Sequence, residues 1–285
     1  MSTRAERFTD PCTSHGEGPF WDAVNGRLLL VDMLAGAVEE VDADGATRRR
    51  EVAGVAAALR ARRGGGYVLA TENRFVLLGP DLTVETVLPP VFTDPLLRMN
   101  DGGCDPQGRF YCGTMAYAET PGAGTLYRLD PDGGVSVTLR DVTISNGLQW
   151  NQSGDTVVYV DTPTGRVDSF DFDPASGGFT NRRSFTEISG GGYPDGLAID
   201  EDDGVWVALW GGGAVHRYDA RGRLDLVVDL PVSNVTACAF GGAERRTLYI
   251  TTSRQGLDPS EQQDAGAVFR FEAGLRGAPQ HAFAG

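Results

Sequence analysis

The sequence predicts an all-β fold, a six-bladed β-propeller with a metal site in the central channel, built as one domain over residues 1–285. Three observations predict it. A strand–turn–strand unit recurs six times, tight glycine-bearing turns close each copy, and four copies carry an Asp, Asn or Glu at one phase of the repeat.

The copies span 26–45, 66–79, 108–133, 154–173, 204–222 and 247–272, and their starting positions lie 40, 42, 46, 50 and 43 residues apart. A period of roughly 40–50 residues with about four strands per unit is the signature of a propeller blade. The first copy opens on Leu28-Leu29-Leu30-Val31 and closes at Asp44-Gly45, and the second pairs Tyr67-Val68-Leu69 with Phe75-Val76-Leu77. The third sets Phe110-Tyr111-Cys112 against Leu126-Tyr127, and the fourth Val157-Val158-Tyr159-Val160 against Val167-Asp168-Ser169-Phe170. The fifth reads Val205-Trp206-Val207-Ala208-Leu209 then Val215-His216-Arg217-Tyr218, and the sixth Leu248-Tyr249-Ile250-Thr251 then Val268-Phe269-Arg270-Phe271. β-Branched and aromatic residues suit a pleated surface, and the Asp-Gly and Gly-Gly pairs between them suit hairpin turns. A further apolar segment before each copy, such as Leu197-Ala198-Ile199, supplies an inner strand. The alternative all-β architecture, a sandwich, has no long-period self-similarity. No extended amphipathic helix competes, because the one Ala-rich stretch, 52–62, has glycine or β-branched residues at its ends.

Composition removes several function classes. All 25 basic residues are Arg, so Schiff-base chemistry and the lysine of a phosphate-binding loop are excluded. A net charge of −14 repels phosphate backbones and anionic lipid surfaces, which makes nucleic acid and membranes poor partners. Apolar runs of five or six residues fall far short of the ~20 needed to span a bilayer. The amino-terminal residues carry no apolar secretory segment, so a cytoplasmic location is expected. Cys12, Cys104, Cys112 and Cys238 form no C-x-x-C pair and are expected to be buried thiols. Glycine, at 39 of 285 residues, runs at roughly twice average usage and signals turns.

Aligning the copies places Glu17 nine residues before Gly26, Asn100 eight before Gly108, Asn146 eight before Gly154 and Asp195 nine before Gly204. Equivalent positions of successive blades face the same axis, so these side chains converge on the channel. Crowded carboxylates repel one another and lose hydration, and a divalent cation resolves both problems. Oxygen-only donors of mixed charge suit Ca²⁺ or Mg²⁺, with Mn²⁺ or Zn²⁺ as further options. The competing account makes these residues turn formers, since each is followed by glycine within two positions.

The same segments resemble the SMP-30/gluconolactonase/regucalcin family. The motifs are Ser14-His15-Gly16-Glu17-Gly18-Pro19, Arg98-Met99-Asn100-Asp101-Gly102, Gly113-Thr114-Met115, Ser145-Asn146-Gly147-Leu148 and Pro194-Asp195-Gly196-Leu197. The resemblance covers nearly the whole chain. It implies a six-bladed propeller with one divalent ion, Ca²⁺ first, in its channel and a sugar lactone as small-molecule substrate. It implies Glu17, Asn146 and Asp195 as metal ligands, Asp195 also as the catalytic base, and Arg98 and Asn100 as substrate contacts. The chemistry is consistent. Opening a lactone requires a polarised carbonyl, an activated water and a stabilised oxyanion, which a Lewis-acidic ion and an adjacent carboxylate supply. Arg98 offers a planar fork of donors to sugar hydroxyls or to the product carboxylate, or else a salt bridge to Asp101 or Asp94.

One departure concerns the loop after Met115. Some family members carry consecutive acidic residues there, whereas this chain reads Ala116-Tyr117-Ala118-Glu119. Tyr117 then offers an aromatic face to a sugar ring or packs on the rim, and Tyr193 and Trp210 carry the same two options. A serine hydrolase is disfavoured, since no G-x-S-x-G occurs and only His15, His216 and His281 are available. His216 is expected on an exposed blade face, and His15 in or behind the metal shell. The acidic run 200–204 is expected to be a solvated hairpin, because the twelfth position from Asp200 is Gly211 and not the glutamate of a calcium loop. Two rival functions remain, a phosphotriester hydrolase using the same channel and a noncatalytic calcium-binding propeller. A monomer or weak homo-oligomer is expected.

Overall fold

A computed structural model describes residues 3–258 and 260–285. Its strands form six four-stranded antiparallel sheets arranged as a β-propeller. Blade 1 comprises Gly16–Asp22, Arg27–Asp32, Ala37–Val41 and Thr47–Glu51. Blade 2 comprises Ala56–Ala61, Tyr67–Thr71, Phe75–Leu78 and Val84–Val87. Blade 3 runs through Leu97–Cys104, Phe110–Ala116, Gly124–Leu129 and Val135–Val142, and blade 4 through Ser145–Trp150, Thr156–Asp161, Arg166–Asp173 and Gly178–Glu187. Blade 5 comprises Tyr193–Ile199, Val205–Trp210, Ala214–Tyr218 and Leu224–Asp229. Blade 6 takes Val235–Gly241, Thr247–Thr252 and Phe269–Glu272 from late in the chain, and its outer strand is Glu6–Arg7. The amino-terminal strand thus completes the last blade, so the ring is closed by hydrogen bonds between the two ends of the chain.

The glycines that open the repeats occupy the turns between first and second strands. Gly26, Gly66, Gly108 and Gly154 all have φ between 64° and 93°, a region that costs other residues about 1–2 kcal/mol. First and second strands of every blade are almost wholly buried, while the outer strands Thr47–Glu51 and Val84–Val87 are exposed along their length. The core therefore lies between blade faces, as in the cluster joining Leu59, Leu69, Phe75, Met99 and Phe110 across blades 2 and 3.

Two carboxylates pin the channel ends of their blades by one device. Asp32, at the end of the second strand of blade 1, accepts hydrogen bonds from the Ser14 and His15 amides, and Asp161 accepts from Thr143 and Ile144 in blade 4. Each fixes the entry of an inner strand just before a site residue. At the opposite end of the channel the carboxyl-terminal residues cross from blade to blade. Ala278 N donates to Ile199 O at 2.9 Å, Gln280 Oε1 accepts from Trp21 N at 3.1 Å, and Phe283 N donates to Ala61 O at 2.8 Å. These partners lie in the second half of their inner strands, so the tail runs along the end of the propeller remote from the inner-strand starts.

Two expectations need correction. His216 is buried, because its strand is third of four and is covered by neighbouring blades; its Nδ1 lies 3.1 Å from the Tyr218 hydroxyl. The acidic run is solvated only at its tip. Asp200 is fully buried and accepts from Trp206 Nε1 at 2.8 Å and Arg217 Nε at 2.7 Å, which ties the turn to the core. The four cysteines are free thiols, three buried and Cys12 half-buried.

Candidate active site

Every inner strand breaks its pairing register near its start: between Glu17 and Phe20, Ala56 and Ala58, Met99 and Gly102, Ser145 and Leu148, Pro194 and Leu197, and Val235 and Ala237. A bulge adds a residue and re-aims a side chain. Asn100, Asn146 and Asp195 are the first residues inside their bulges, and Glu17 borders its own. The motifs read as possible turns are therefore bulges on the axis. The glycines that follow permit close approach of adjacent inner strands. A Cβ on Gly147 would lie 2.7 Å from Asp195 O, and one on Gly196 would lie 2.4 Å from Ala237 Cβ.

Glu17, Arg98, Asn100, Tyr117, Asn146 and Asp195 all line one pocket of about 480 Å³ at the open mouth, together with His15, Tyr193 and Trp210. Except for Tyr117, these six candidates are at least nine-tenths buried. A chain of hydrogen bonds connects the polar members. Arg98 Nη1 donates to Asn100 Oδ1 at 2.6 Å, Asn100 Nδ2 donates to Asn146 Oδ1 at 3.1 Å, and Asn146 Nδ2 donates to Thr162 Oγ1 at 2.8 Å. Asn100 Nδ2 also donates to Ser145 O at 2.9 Å. Arg98 forms neither of the expected salt bridges. Its other contacts are Met99 O and Met33 Sδ, with Tyr117 lying 5.9 Å from its guanidinium carbon. The Tyr117 hydroxyl donates to Glu72 Oε1 at 2.7 Å, which holds the ring at the rim.

Beneath this layer lie two residues whose place on the axis sequence spacing did not reveal. Asp101, next to Asn100 in the same bulge, is buried with Arg60 3.8 Å away, and Arg60 also donates to the carbonyls of Leu59 and Gly102. The adjacent acidic residue was visible, but its partner sits in blade 2, whose bulge carries only Ala57 and gives no polar signal.

The electrostatics are dominated by burial. Burial and then the Asp101 charge push the Glu17 carboxyl well above the usual carboxylate range. Burial, then Glu17 and Asp101, raise Asp195 in the same direction. Burial lowers Arg98, an effect opposed by Tyr117, Glu17 and Asp195, and burial followed by Arg98 lowers His15 to about 4. Among the described residues, Asp195 Oδ1 is the only fully enclosed side-chain oxygen without a hydrogen-bond partner. Glu17 has a single partner, the Gly18 amide at 3.0 Å. Two crowded, under-partnered carboxylates beside an amide oxygen fit a hard divalent cation. Among the described residues there is no cluster of three or more His, Cys, Asp or Glu suited to an ion.

These features define an all-β six-bladed propeller with a pocket lined by buried carboxylates. The chain belongs to the SMP-30/gluconolactonase/LRE-like family, whose pattern matches residues 15–254. Rabbit (Oryctolagus cuniculus) regucalcin is 36% identical, with 95% of each chain covered. The structure of a regucalcin from Agrobacterium tumefaciens, described as a calcium-binding protein, superimposes with a TM-score of 0.92 at 27% identity, covering 98% of this chain and 97% of that one. A gluconolactonase from Xanthomonas campestris shares the fold with a TM-score of 0.74 at 19% identity, covering 95% and 89% of the two chains.

Proposed function

We propose that the protein is a metal-dependent hydrolase that opens sugar lactones to aldonic acids, with one divalent ion, Ca²⁺ first, held by Glu17, Asn146 and Asp195. The observation that carries this reading is the unpartnered Asp195 Oδ1 beside Glu17 in the floor of an open pocket. When bound, the ion supplies Lewis-acid polarisation of a carbonyl oxygen and offsets the negative charge that grows on it. Asp195 accepts the proton of the attacking water at a carboxylate oxygen, a role worth typically 10²–10⁴-fold in rate. Arg98 is anchored through Nη1, and its remaining donors serve substrate hydroxyls or the new carboxylate. Asn100 orients both Arg98 and Asn146, and Tyr117 presents a ring edge or face at the mouth.

The test is acid release from five- and six-membered aldonolactones, comparing chelator-stripped protein with protein resupplied with Ca²⁺, Zn²⁺, Mn²⁺ or Mg²⁺. Turnover that disappears on stripping and returns with an ion is the expected result. Stoichiometric ion binding without lactone turnover would move the assignment to a binding propeller or, with organophosphate turnover, to a phosphotriesterase.

A further inference from the structure

The pocket wall contains a residue with no role in the chemistry above. His15 is 7% exposed and lines the pocket. Its backbone is held on both sides, the amide donating to Asp32 Oδ1 at 2.9 Å and the carbonyl accepting from Met33 N at 3.0 Å. Its ring is held as well. Nδ1 lies 2.8 Å from Ser253 Oγ, and Trp210 meets the ring edge-on at 5.8 Å. Ser253 is itself fixed, because its Oγ accepts from Gln255 N at 3.0 Å.

Nε2 has no protein partner, yet it is absent from the few fully enclosed side-chain atoms that lack one. It is therefore open to the pocket. A ring nitrogen kept in place by Ser253 and Trp210 and left free toward a cavity is a preformed recognition point, and rotamer freedom is already spent before a ligand arrives. Resting on the lactonase reading, we infer that His15 is a specificity-determining residue whose Nε2 hydrogen-bonds a ring hydroxyl of the substrate in the pocket it shares with Arg98, beside the apolar surface of Trp210. Either tautomer serves, since a hydroxyl both donates and accepts. A lactone without hydroxyls gains nothing from this contact.

The experiment is calorimetric binding of the non-hydrolysable cyclic polyol 1,5-anhydroglucitol and its monodeoxy analogues to ion-loaded wild type, His15→Leu, His15→Gln and Ser253→Ala. Lactone turnover is assayed in parallel on a glycono-δ-lactone and on δ-valerolactone. His15→Leu is expected to weaken polyol binding about tenfold and to abolish the preference for one hydroxyl over its deoxy analogue. His15→Gln is expected to restore part of both, and Ser253→Ala to weaken binding less. In kinetics His15→Leu lowers kcat/KM for the glyconolactone by a larger factor than for δ-valerolactone. Wild-type polyol affinity in His15→Leu, equal losses for polyol and every deoxy analogue, or no polyol binding by wild type would each overturn the inference. Polyol binding that depends on His15 without any lactone turnover would instead refute the lactonase reading and leave the His15 contact standing.

Discussion

Replacing Gly196 with alanine tests whether close contact between inner strands builds the site. The added Cβ would lie 2.4 Å from Ala237 Cβ, 2.8 Å from Ala237 Cα and 3.0 Å from Thr236 O, whereas ordinary contact begins at 3.4 Å. Blades 5 and 6 must then separate at the axis by about 1 Å, the difference between 2.4 and 3.4 Å. Overpacking of this kind costs about 1–3 kcal/mol, or a fall in Tm of roughly 2–5 °C. Asp195 is the preceding residue, and a displacement of ~1 Å at a catalytic group lowers turnover on the order of 10²-fold. Gly26→Ala is the control. Its φ of 64° makes alanine strained, but nothing lies within 4 Å and the turn is at the far end of the blade. Thermal melts and lactone turnover of both variants give the answer. Both are expected to lose stability, and only Gly196→Ala is expected to lose turnover. Wild-type turnover in Gly196→Ala, or an equal loss in Gly26→Ala, would refute the claim that strand spacing sets the geometry of Asp195.

Asp195→Asn is expected to lower turnover at least 10²-fold. The stripped variant should melt above stripped wild type because one of two crowded carboxylates is gone, and added Ca²⁺ should raise the Tm of wild type alone; differential scanning calorimetry with and without chelator reads both effects. Arg60→Met leaves Asp101 buried without its partner and should cost about 3–5 kcal/mol in urea unfolding, with much of the loss recovered in the double variant with Asp101→Asn. His216 and His281 both sit below the usual value of 6.5 because burial disfavours their charged forms. The folded state thus binds fewer protons than the unfolded one, so this stability is complete above pH 6.5 and is lost as pH falls through the lower folded-state values. A His216→Gln/His281→Gln variant should show a shallower decline in Tm between about pH 7 and pH 5 than wild type.

Much of the architecture was legible because a propeller repeats its own turn chemistry. The glycines at 26, 66, 108 and 154 recur for a physical reason, a positive φ in the same hairpin of successive blades. Convergence of Glu17, Asn100, Asn146 and Asp195 followed from rotation about the axis, and all four line the pocket. The glycines after them were ambiguous, since Asn-Gly and Asp-Gly suit a turn as well as a bulge; only the distance to the next strand separates the two. Glu6–Arg7 closes blade 6 with two residues, too few to carry an alternation pattern. The carboxyl-terminal tail crosses from blade to blade through backbone hydrogen bonds, the Gln280 side chain and one buried ring, Phe283, which leave no periodic mark. The burial of His216 depends on a neighbouring blade, which the pattern of its own strand does not encode.

The central claim is that one divalent ion on Glu17, Asn146 and Asp195 is what lactone turnover requires. Its most direct test is a Ca²⁺ titration of chelator-stripped protein, following heat of binding and glyconolactone hydrolysis in the same sample. The account predicts turnover rising in proportion to the first equivalent bound and levelling at one ion per chain, with Glu17→Gln and Asp195→Asn losing both signals. Full turnover in the stripped protein, or turnover that ignores occupancy of the first site, would contradict it.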